Sequence, residues 1–217
     1  GIQLAKLGAL VMSGKKIKNL DIPNRSDNKA YFSVKEAVFP FSKFPEVDVL
    51  LGPEMKSTGE VMGFGKTFGE AYFKAQRAAG VILPKEGNVF ISVRDYDKGP
   101  ICEVASELID MGFNIYATSG TFNYLTDAGI VCSKINKVKD GHPHIVDMIK
   151  NNEVHLIINT TEGARSIKDS FSIRKEAQNH KISLTTTVSG AKAFCKAIKF
   201  IDDFGAQDLK QRHKSVS

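Results

Sequence analysis

A short polar segment in the middle of the chain combines residues that suit the binding of a phosphate group. It runs Thr118-Ser119-Gly120-Thr121, after an apolar stretch predicted to be a strand and at the start of a predicted helix. Gly120 would let the backbone approach an anion closely, and the first N–H groups of a helix carry the positive end of its dipole. The same residues equally suit an ordinary capped helix start, in which Ser119 satisfies its own helix. The spacing alone leaves both interpretations open.

A second polar segment, Asn159-Thr160-Thr161, directly follows the apolar residues 156–158. An Asn side chain carries a donor and an acceptor, and a Thr hydroxyl can act as either, so these groups suit ribose hydroxyls or the edge of a base. A turn closed by local side-chain hydrogen bonds is the alternative interpretation.

Two lysines are predicted at the same edge of the fold as these segments. Lys98 follows the first predicted strand of the region after residue 87, and Lys137 follows the third. Lysines placed after parallel strands can converge as point charges on a phosphate. Taken one at a time, each could equally be a solvated surface lysine.

Strands and helices alternate regularly from residue 89 onward, and this order determines where the polar segments lie. The pattern predicts strands at 89–93, 114–118, 131–135, 156–159 and 183–185, and helices at 100–111, 121–128, 144–151, 167–179 and 188–200. Such alternation predicts an α/β fold with a five-stranded parallel, doubly wound sheet. Ligands of such sheets bind outside the carboxyl ends of the strands, where both polar segments fall.

The first third of the chain has a different pattern. It predicts a helix within residues 1–13, a polar loop at 15–29, a strand at 31–39 and a helix at 67–79. Thr67 with Glu70 three residues later has the capping-box spacing. Residues 80–87, which include Pro84, form a candidate domain boundary.

Composition indicates an ordinary globular protein. Of 217 residues, 42% are hydrophobic and 25% are charged, and no apolar run approaches the length of a membrane span. The net charge of +6 comes from scattered lysines, which favours an anion site on a solvated surface over nucleic-acid binding. Cys102, Cys132 and Cys195 form no CxxC pair, so we expect reduced thiols and a cytoplasmic protein.

Several patterns suggest other chemistry but lack a required part. Gly59–Thr67 resembles a P-loop, but five residues separate Gly59 from the Gly65-Lys66 pair, whereas the P-loop motif has four. His142 and His144 are two residues apart across a proline, which differs from the i, i+4 spacing of a helical zinc pair, so no metal site is predicted. Ser92 and Asp169 have no histidine that the sequence associates with them, and a hydrolase triad is not supported.

The segment Leu51–Gly63, LGPEMKSTGEVMG, carries a family resemblance. It is similar to the signature near the end of the last ATP-grasp domain in the large subunit of carbamoyl phosphate synthetases. Residues from about 87 to 199 resemble the regulatory, methylglyoxal-synthase-like domain of the same family. Because the chain begins at Gly1 inside a predicted helix, we expect it to be a C-terminal fragment of a longer subunit.

The resemblance implies a binding site for a nucleotide effector, UMP or IMP. The family's phosphate-binding Thr-x-Gly-Thr matches Thr118 to Thr121, and its lysines match Lys98 and Lys137, the latter within Asn-Lys-Val. Its Asn-Thr-Thr, expected to contact ribose and base, matches Asn159, Thr160 and Thr161, and the neighbouring residues 141–145 resemble its Gly-x-Pro-His-Ile. Ser119 departs from the histidine of the enteric-type enzymes, which puts the nucleotide preference in question.

The resemblance also points to a possible ornithine site. Glu36 matches a carboxylate that holds the ornithine amine, and Thr186 matches a threonine on the regulatory side. However, Leu184 replaces a tyrosine and Thr185 replaces an aspartate of the enteric-type enzymes. The loss of an aromatic hydroxyl and a charge weakens this expectation.

For the whole protein, the resemblance implies a ligase that makes carbamoyl phosphate from bicarbonate, glutamine-derived ammonia and two ATP with Mg or Mn. It would serve arginine and pyrimidine synthesis and would bind a small glutaminase subunit. The expected domains are the end of the ATP-grasp domain at 1–80, the regulatory domain at 85–205 and a disordered tail at 206–217. The fragment alone is expected to be non-catalytic and to hold no cofactor, with neither nucleic acid nor membrane as a partner.

Two other functions fit parts of the pattern. An oligomerisation module without effector binding is one, because self-association is compatible with this domain type. A methylglyoxal-synthase-type lyase is the other, but the Gly-Gly-Asp that carries its general base is replaced by a stretch that starts Thr160-Thr161-Glu162. We therefore expect an effector-binding module.

Overall fold

The computed structural model describes residues 2–22, 31–38, 59–203, 205, 206, 208 and 210, with only the backbone of 164 and 165. These residues belong to two compact units, which are described separately. The larger unit is Tyr31–Asp203. The other includes one helix, α1 (Leu4–Met12), followed by a 3-10 turn at Ile17–Asn19. Most of the motif 51–63 and most of the predicted tail 206–217 lie outside the described residues.

The larger unit contains seven strands and seven helices among its described residues. The strands are β1 (Phe32–Val38), β2 (Gly59–Gly65), β3 (Gly87–Ser92), β4 (Phe113–Ala117), β5 (Ser133–Lys134), β6 (Leu156–Asn159) and β7 (Ser183–Thr185). The helices are α2 (Phe68–Ala78), α3 (Lys98–Asp110), α4 (Ser119–Asp127), α5 (Ile145–Lys150), α6 (Gly163–Asp169), α7 (Phe171–Asn179) and α8 (Val188–Ile198). None of the described helices is long and apolar enough to cross a membrane.

The prediction of a parallel, doubly wound sheet is confirmed. Five strands pair in parallel in the order β5-β4-β3-β6-β7. Alternate residues of the central strand β3 enter different cores: Val89 and Ile91 pack with α3 and α8, whereas Phe90 packs with α5 and α7. Both faces of the sheet are therefore covered by helices, as the near-continuous apolar strands require. The order reverses between β3 and β6, which makes their carboxyl ends a topological switch point.

A two-stranded antiparallel sheet, β1 and β2, packs against α2. The sequence analysis missed β2, since three of its seven residues are glycines, which have low strand propensity. The glycines are required by packing. A Cβ at Gly63 would lie 2.0 Å from the carbonyl oxygen of Ala71, so only glycine lets the helix approach the strand this closely.

The predicted N-cap of α2 is confirmed, but the full capping box is not. Thr67 Oγ1 accepts from the backbone N–H of Glu70 at 3.2 Å. The Glu70 carboxylate accepts from the N–H of Lys66 at 2.7 Å, one residue before the cap. The helix start is thus satisfied by both side chains in a shifted arrangement.

The single helix predicted at 167–179 is two helices, α6 and α7, that meet at Ser170. The buried Arg174 explains the break, because its Nη2 donates to the carbonyl of Ile167 at 2.9 Å. That carbonyl belongs to the last turn of α6, where helical carbonyls lack intrahelical donors. The guanidinium therefore stabilises the end of α6.

Candidate functional site

A cleft of about 820 Å³ opens at the carboxyl edge of the five-stranded sheet, at the switch point between β3 and β6. Ser92 ends β3 and Asn159 ends β6, and both line the cleft. Thr118, which follows β4, lines it as well, together with Lys137 beyond β5. The cleft thus lies where ligands of open α/β sheets bind.

The start of α4 differs from the sequence prediction in a way that matters for the site. The helix begins at Ser119 instead of Thr121, and Thr118 is its extended N-cap residue. In this part of the described chain, the Thr118 side chain makes no capping hydrogen bond. Its hydroxyl lies 3.0 Å from that of Ser92 instead. Gly120 is therefore in the first turn of a helix whose N-cap side chain leaves the first N–H groups unsatisfied.

Lys98 lies beside this helix start. It is the first residue of α3, and its Nζ lies 3.5 Å from where a Cβ on Gly120 would be. The same Nζ forms an ion pair of 2.7 Å with the exposed Asp95. The ion pair with Lys98 and the nearby charge of Lys137 lower the pKa of Asp95. Two lysines predicted from the sequence therefore face one carboxylate at the rim of the cleft.

Asn159 and Thr160 form the floor of the cleft and are almost fully buried. Thr160 Oγ1 accepts from the backbone N–H of Arg94 at 3.1 Å. Asn159 Nδ2 donates weakly to the carbonyl of Ser92 at 3.4 Å. Among the described residues, no partner reaches the buried Asn159 Oδ1. A buried acceptor without a partner is costly, so this atom is suited to a donor brought by a ligand.

Two other predicted residues, Thr121 and Thr161, are not among the described residues that line the cleft. Thr121 is buried, and its Oγ1 accepts from the N–H of Val93 at 3.2 Å, which joins α4 to the end of β3. Thr161 is half-buried. The structure therefore assembles Thr118, Lys137, Asn159 and Thr160 around the cleft, with Lys98 and Gly120 adjacent.

Several charged residues around the cleft were not assigned to this site in the sequence analysis. Lys139 and Asp169 both line it and form an ion pair of 3.4 Å. Arg94 lines it too, with its guanidinium paired to Asp97 at 2.8 Å and lying 5.4 Å from the centre of the Tyr96 ring. Arg94 follows the end of β3 by two residues, so the rule that identified Lys98 could have identified it. The Lys139–Asp169 pair depends on the fold and has no local signal.

The two residues of the possible ornithine site lie in different surroundings. Glu36, on β1, accepts a hydrogen bond from the side chain of Gln76 on α2. Burial raises the pKa of Glu36, and burial together with the Glu36 charge raises the pKa of Tyr72 to about 12. Thr186 follows β7 and is half-buried. The hydrogen bonds of the described residues do not connect Glu36 with Thr186.

The parallel sheet and the helices on both of its faces define a class of protein, the doubly wound α/β domains, and the cleft lies at the switch point of the sheet. Residues 100–186 match the model of the MGS-like domain family. A solved methylglyoxal synthase from Elizabethkingia anophelis NUHP1 aligns with a TM-score of 0.44 and 14% identity, covering 61% of this chain and 93% of that chain.

Similarity to curated proteins is much higher and extends over the whole chain. Large chains of carbamoyl phosphate synthase are 54% identical in Pseudomonas syringae pv. tomato, 51% in Pseudomonas aeruginosa and 47% in Xanthomonas campestris pv. campestris. Each alignment covers 100% of this chain and 20% of the relative. The chain belongs to the carbamoyl phosphate synthase large-chain family and spans about a fifth of the length of these relatives.

Proposed function

We propose that the cleft binds a nucleoside monophosphate, UMP or IMP, and that this chain is the effector-binding region of a carbamoyl phosphate synthase large chain. The observation that carries the proposal is Asn159, which lines the cleft and whose buried Oδ1 has no hydrogen-bond partner among the described residues. A ribose hydroxyl or a base N–H placed there would donate to it and recover the cost of burying it.

The phosphate would lie at the start of α4. The first N–H groups of this nine-residue helix, the positive end of its dipole and the ammonium of Lys98 all favour an anion there. Lys137, at the rim, adds a second positive charge. The volume of about 820 Å³ falls within the range usual for sites of small organic ligands.

The carboxylate of Asp95 would be exchanged for the incoming phosphate. In the structure Asp95 pairs with Lys98, and its side chain is 96% exposed. It can therefore turn into solvent when a dianion takes its place beside the lysine, because both states leave the lysine paired. Asp95 would thus keep Lys98 in position while the site has no ligand.

At the level of the whole protein, the proposal is a ligase that makes carbamoyl phosphate from bicarbonate, glutamine-derived ammonia and two ATP. It would work with a small glutaminase subunit and in the cytoplasm. Effector binding in the cleft would shift the population of active enzyme, with a coupling free energy of typically ~1–3 kcal/mol. The similarity to large chains over the full length of this chain supports this assignment.

Calorimetric titration of the 217-residue chain with UMP, IMP and uridine tests the binding proposal. We expect one of the two nucleotides to bind, and uridine to bind much more weakly because it lacks the phosphate. Asn159→Ala should weaken binding by about 1–3 kcal/mol, the usual cost of losing a partner in a buried hydrogen bond.

Asn114→Ala is the matched control, because it makes the same change at an exposed residue of β4 that does not belong to the described lining of the cleft. Equal affinities of uridine and UMP, or an Asn159→Ala variant that binds like the wild type, would contradict the proposal. Steady-state rates of the assembled two-subunit enzyme with and without the nucleotide would then test regulation separately from binding.

A further inference from the structure

A second cluster of ligand-type side chains lies on the loop that leads from β5 into α5. The described part of the chain contains one group of three His, Cys, Asp or Glu side chains whose ligand atoms all lie within 4.8 Å of one another: His142, His144 and Asp147. We propose that this cluster binds a divalent transition-metal ion such as Zn²⁺ or Ni²⁺. The site is separate from the nucleotide site and does not depend on it.

The distances between the donor atoms fit a common metal centre. Asp147 Oδ2 lies 2.7 Å from His142 Nδ1 and 3.1 Å from His144 Nδ1. In a tetrahedral site with bonds of about 2.0–2.1 Å, neighbouring donor atoms are about 3.3 Å apart. The carboxylate oxygen therefore needs to move away from each of the two nitrogens by only a few tenths of an ångström, and the ligand atoms of all three residues lie within 4.8 Å of one another.

The donor set selects the type of metal. Two imidazole nitrogens and one carboxylate oxygen suit Zn²⁺, Ni²⁺ or Co²⁺, whereas Mg²⁺ and Ca²⁺ prefer oxygen ligands. The side chain of His142 is 77% exposed, so an ion can reach the cluster and water can complete its coordination. Three protein ligands plus water is the pattern of an open zinc site.

Two of the three ligands are held in place before any metal binds. His144 is buried and is the N-cap of α5, where its Nδ1 accepts from the N–H of Asp147 at 3.4 Å. Asp147 Oδ2 in turn accepts from the N–H of His144 at 2.9 Å. The His144 Nδ1 lone pair that accepts this long contact is the one that would coordinate the ion, so metal binding would replace the contact of 3.4 Å. Such preorganisation reduces the entropy that binding must offset.

The loop itself brings the third ligand close. Asn136 Nδ2 donates to the carbonyl of Gly141 at 3.2 Å, and the backbone of Asn136 pairs with that of His144. The rings of His142 and His144 consequently lie 4.3 Å apart. The spacing of the two histidines does not predict a metal site, because the third ligand comes from the first turn of α5.

The competing explanation is that the cluster is only an ion pair between His142 and Asp147 next to a helix cap. An ion pair and a metal site make different predictions. A metal site would bind one equivalent of Zn²⁺ or Ni²⁺ and would raise the melting temperature of the chain, since binding to the folded state alone stabilises it. An ion pair would do neither.

Calorimetry with Zn²⁺ and Ni²⁺, and visible absorption with Co²⁺, test the proposal on the tag-free chain. All variants carry His213→Ala, because His213 lies in the tail outside the described residues and could bind metal independently. His142→Ala removes an exposed ligand and leaves both residues of the capping box, His144 and Asp147, in the sequence. Because loss of even an outer-shell partner of a metal site typically costs about 10- to 100-fold in affinity, His142→Ala should weaken binding at least about tenfold.

His180→Ala is the matched control, since His180 also lies near a carboxylate, that of Glu176 at 3.8 Å, but without a second histidine. It should leave the metal affinity within about twofold of the parent, a change well under 1 kcal/mol. Co²⁺ should give the intense visible bands of a tetrahedral site in the parent and lose them in His142→Ala. The proposal would be overturned if His142→Ala weakened metal binding less than about tenfold. It would also be overturned if the parent chain bound neither Zn²⁺ nor Ni²⁺ at millimolar concentration.

Discussion

Asp95 is an exposed side chain that would control the proposed anion site. It pairs with Lys98 at 2.7 Å, and the charge of Lys137 also contributes to lowering its pKa. The two lysines would otherwise present their charge to the start of α4 without compensation. The carboxylate therefore competes with any phosphate that enters.

Removing this carboxylate should tighten nucleotide binding. Asp95→Asn is expected to lower the dissociation constant for UMP roughly 1.5- to 5-fold, the range for an exposed ion pair, because the phosphate no longer competes with a fixed anion. Asp110→Asn is the control, since it removes the same charge at the opposite end of α3. Calorimetric titrations of both variants provide the measurement. Weaker binding by Asp95→Asn would show that Asp95 contacts the ligand favourably.

Glu36 is a carboxyl group in surroundings that disfavour its charge. Burial raises its pKa above the unfolded value, and the hydrogen bond from Gln76 offsets only part of this effect. A raised pKa means that the stability it contributes is fully present below the unfolded pKa. That contribution is lost as the pH rises through the folded pKa.

Glu36→Gln should consequently stabilise the chain at neutral pH and have little effect at pH 4. The glutamine keeps an oxygen that can accept from Gln76 but cannot ionise. Urea unfolding at both pH values measures the difference, and Glu60→Gln on the neighbouring strand β2 is an exposed control. A stabilisation that is the same at both pH values would exclude the titration of Glu36 as its cause.

Individual site residues could be predicted from the sequence when they directly follow a strand. Thr118 and Asn159 come after apolar runs that are recognisable as strands, and both line the cleft. The unsatisfied oxygen of Asn159 could not be predicted, because it depends on how β3 and β6 pair. The same holds for Asp147, which joins the two histidines only through the helix cap.

At the scale of elements, the starts of helices determine what the site can bind. The sequence placed the start of α4 at Thr121, but the extended Thr118 lets the helix begin at Ser119. The earlier start aligns the N–H groups of the whole Ser-Gly-Thr stretch in one first turn. Capping rules did not reveal it, since the Thr118 hydroxyl bonds to Ser92 instead of to its own helix.

The glycines of β2 are the second feature at this scale. Cβ atoms at Gly63 and Gly65 would lie 2.0 Å and 2.6 Å from backbone atoms of Ala71. The strand and α2 are therefore in backbone contact, which no larger residue allows. Glycine-rich composition concealed β2 from pattern reasoning, which depends on alternating side chains.

Gly63→Ala should destabilise the chain by roughly 1–3 kcal/mol, the usual cost of overpacking, because the new methyl group displaces the backbone of α2. Gly59→Ala in the same strand is the control, since a Cβ at Gly59 meets no atom within 4 Å. Denaturant unfolding measures both. If the two variants are equally stable, the close approach of β2 to α2 is not as described.

At the scale of the whole unit 31–203, the parallel sheet could be predicted from the sequence, but the packing of α2 against it through α8 could not. Alternation of strand and helix along the chain implies a parallel sheet with two covered faces, and the described cores show this arrangement. The packing of α2 against α8 could not be predicted from the sequence. A Cβ at Gly69 would lie 2.5 Å from the carbonyl of Lys196, so the helices touch through their backbones.

This contact places the β1–β2 sheet, α2 and the five-stranded sheet within one compact unit, Tyr31–Asp203. The domain boundary expected at residues 80–87 remains a prediction. Residues at the carboxyl ends of β3 and β6 line the cleft, and α2 packs against α8. Under the proposed function, we expect effector binding to be transmitted through the packed elements of this unit.

The central claim is that a nucleotide phosphate binds at the start of α4, with the nucleoside over Asn159. Titration of the ¹⁵N-labelled chain with UMP or IMP, followed by amide chemical shifts, tests it most directly. The account predicts that the largest shifts occur at Ser119, Gly120 and Thr121, with further shifts at Asn159 and Thr160, and that uridine does not shift the first three. Shifts concentrated elsewhere, or none at millimolar nucleotide, would contradict it.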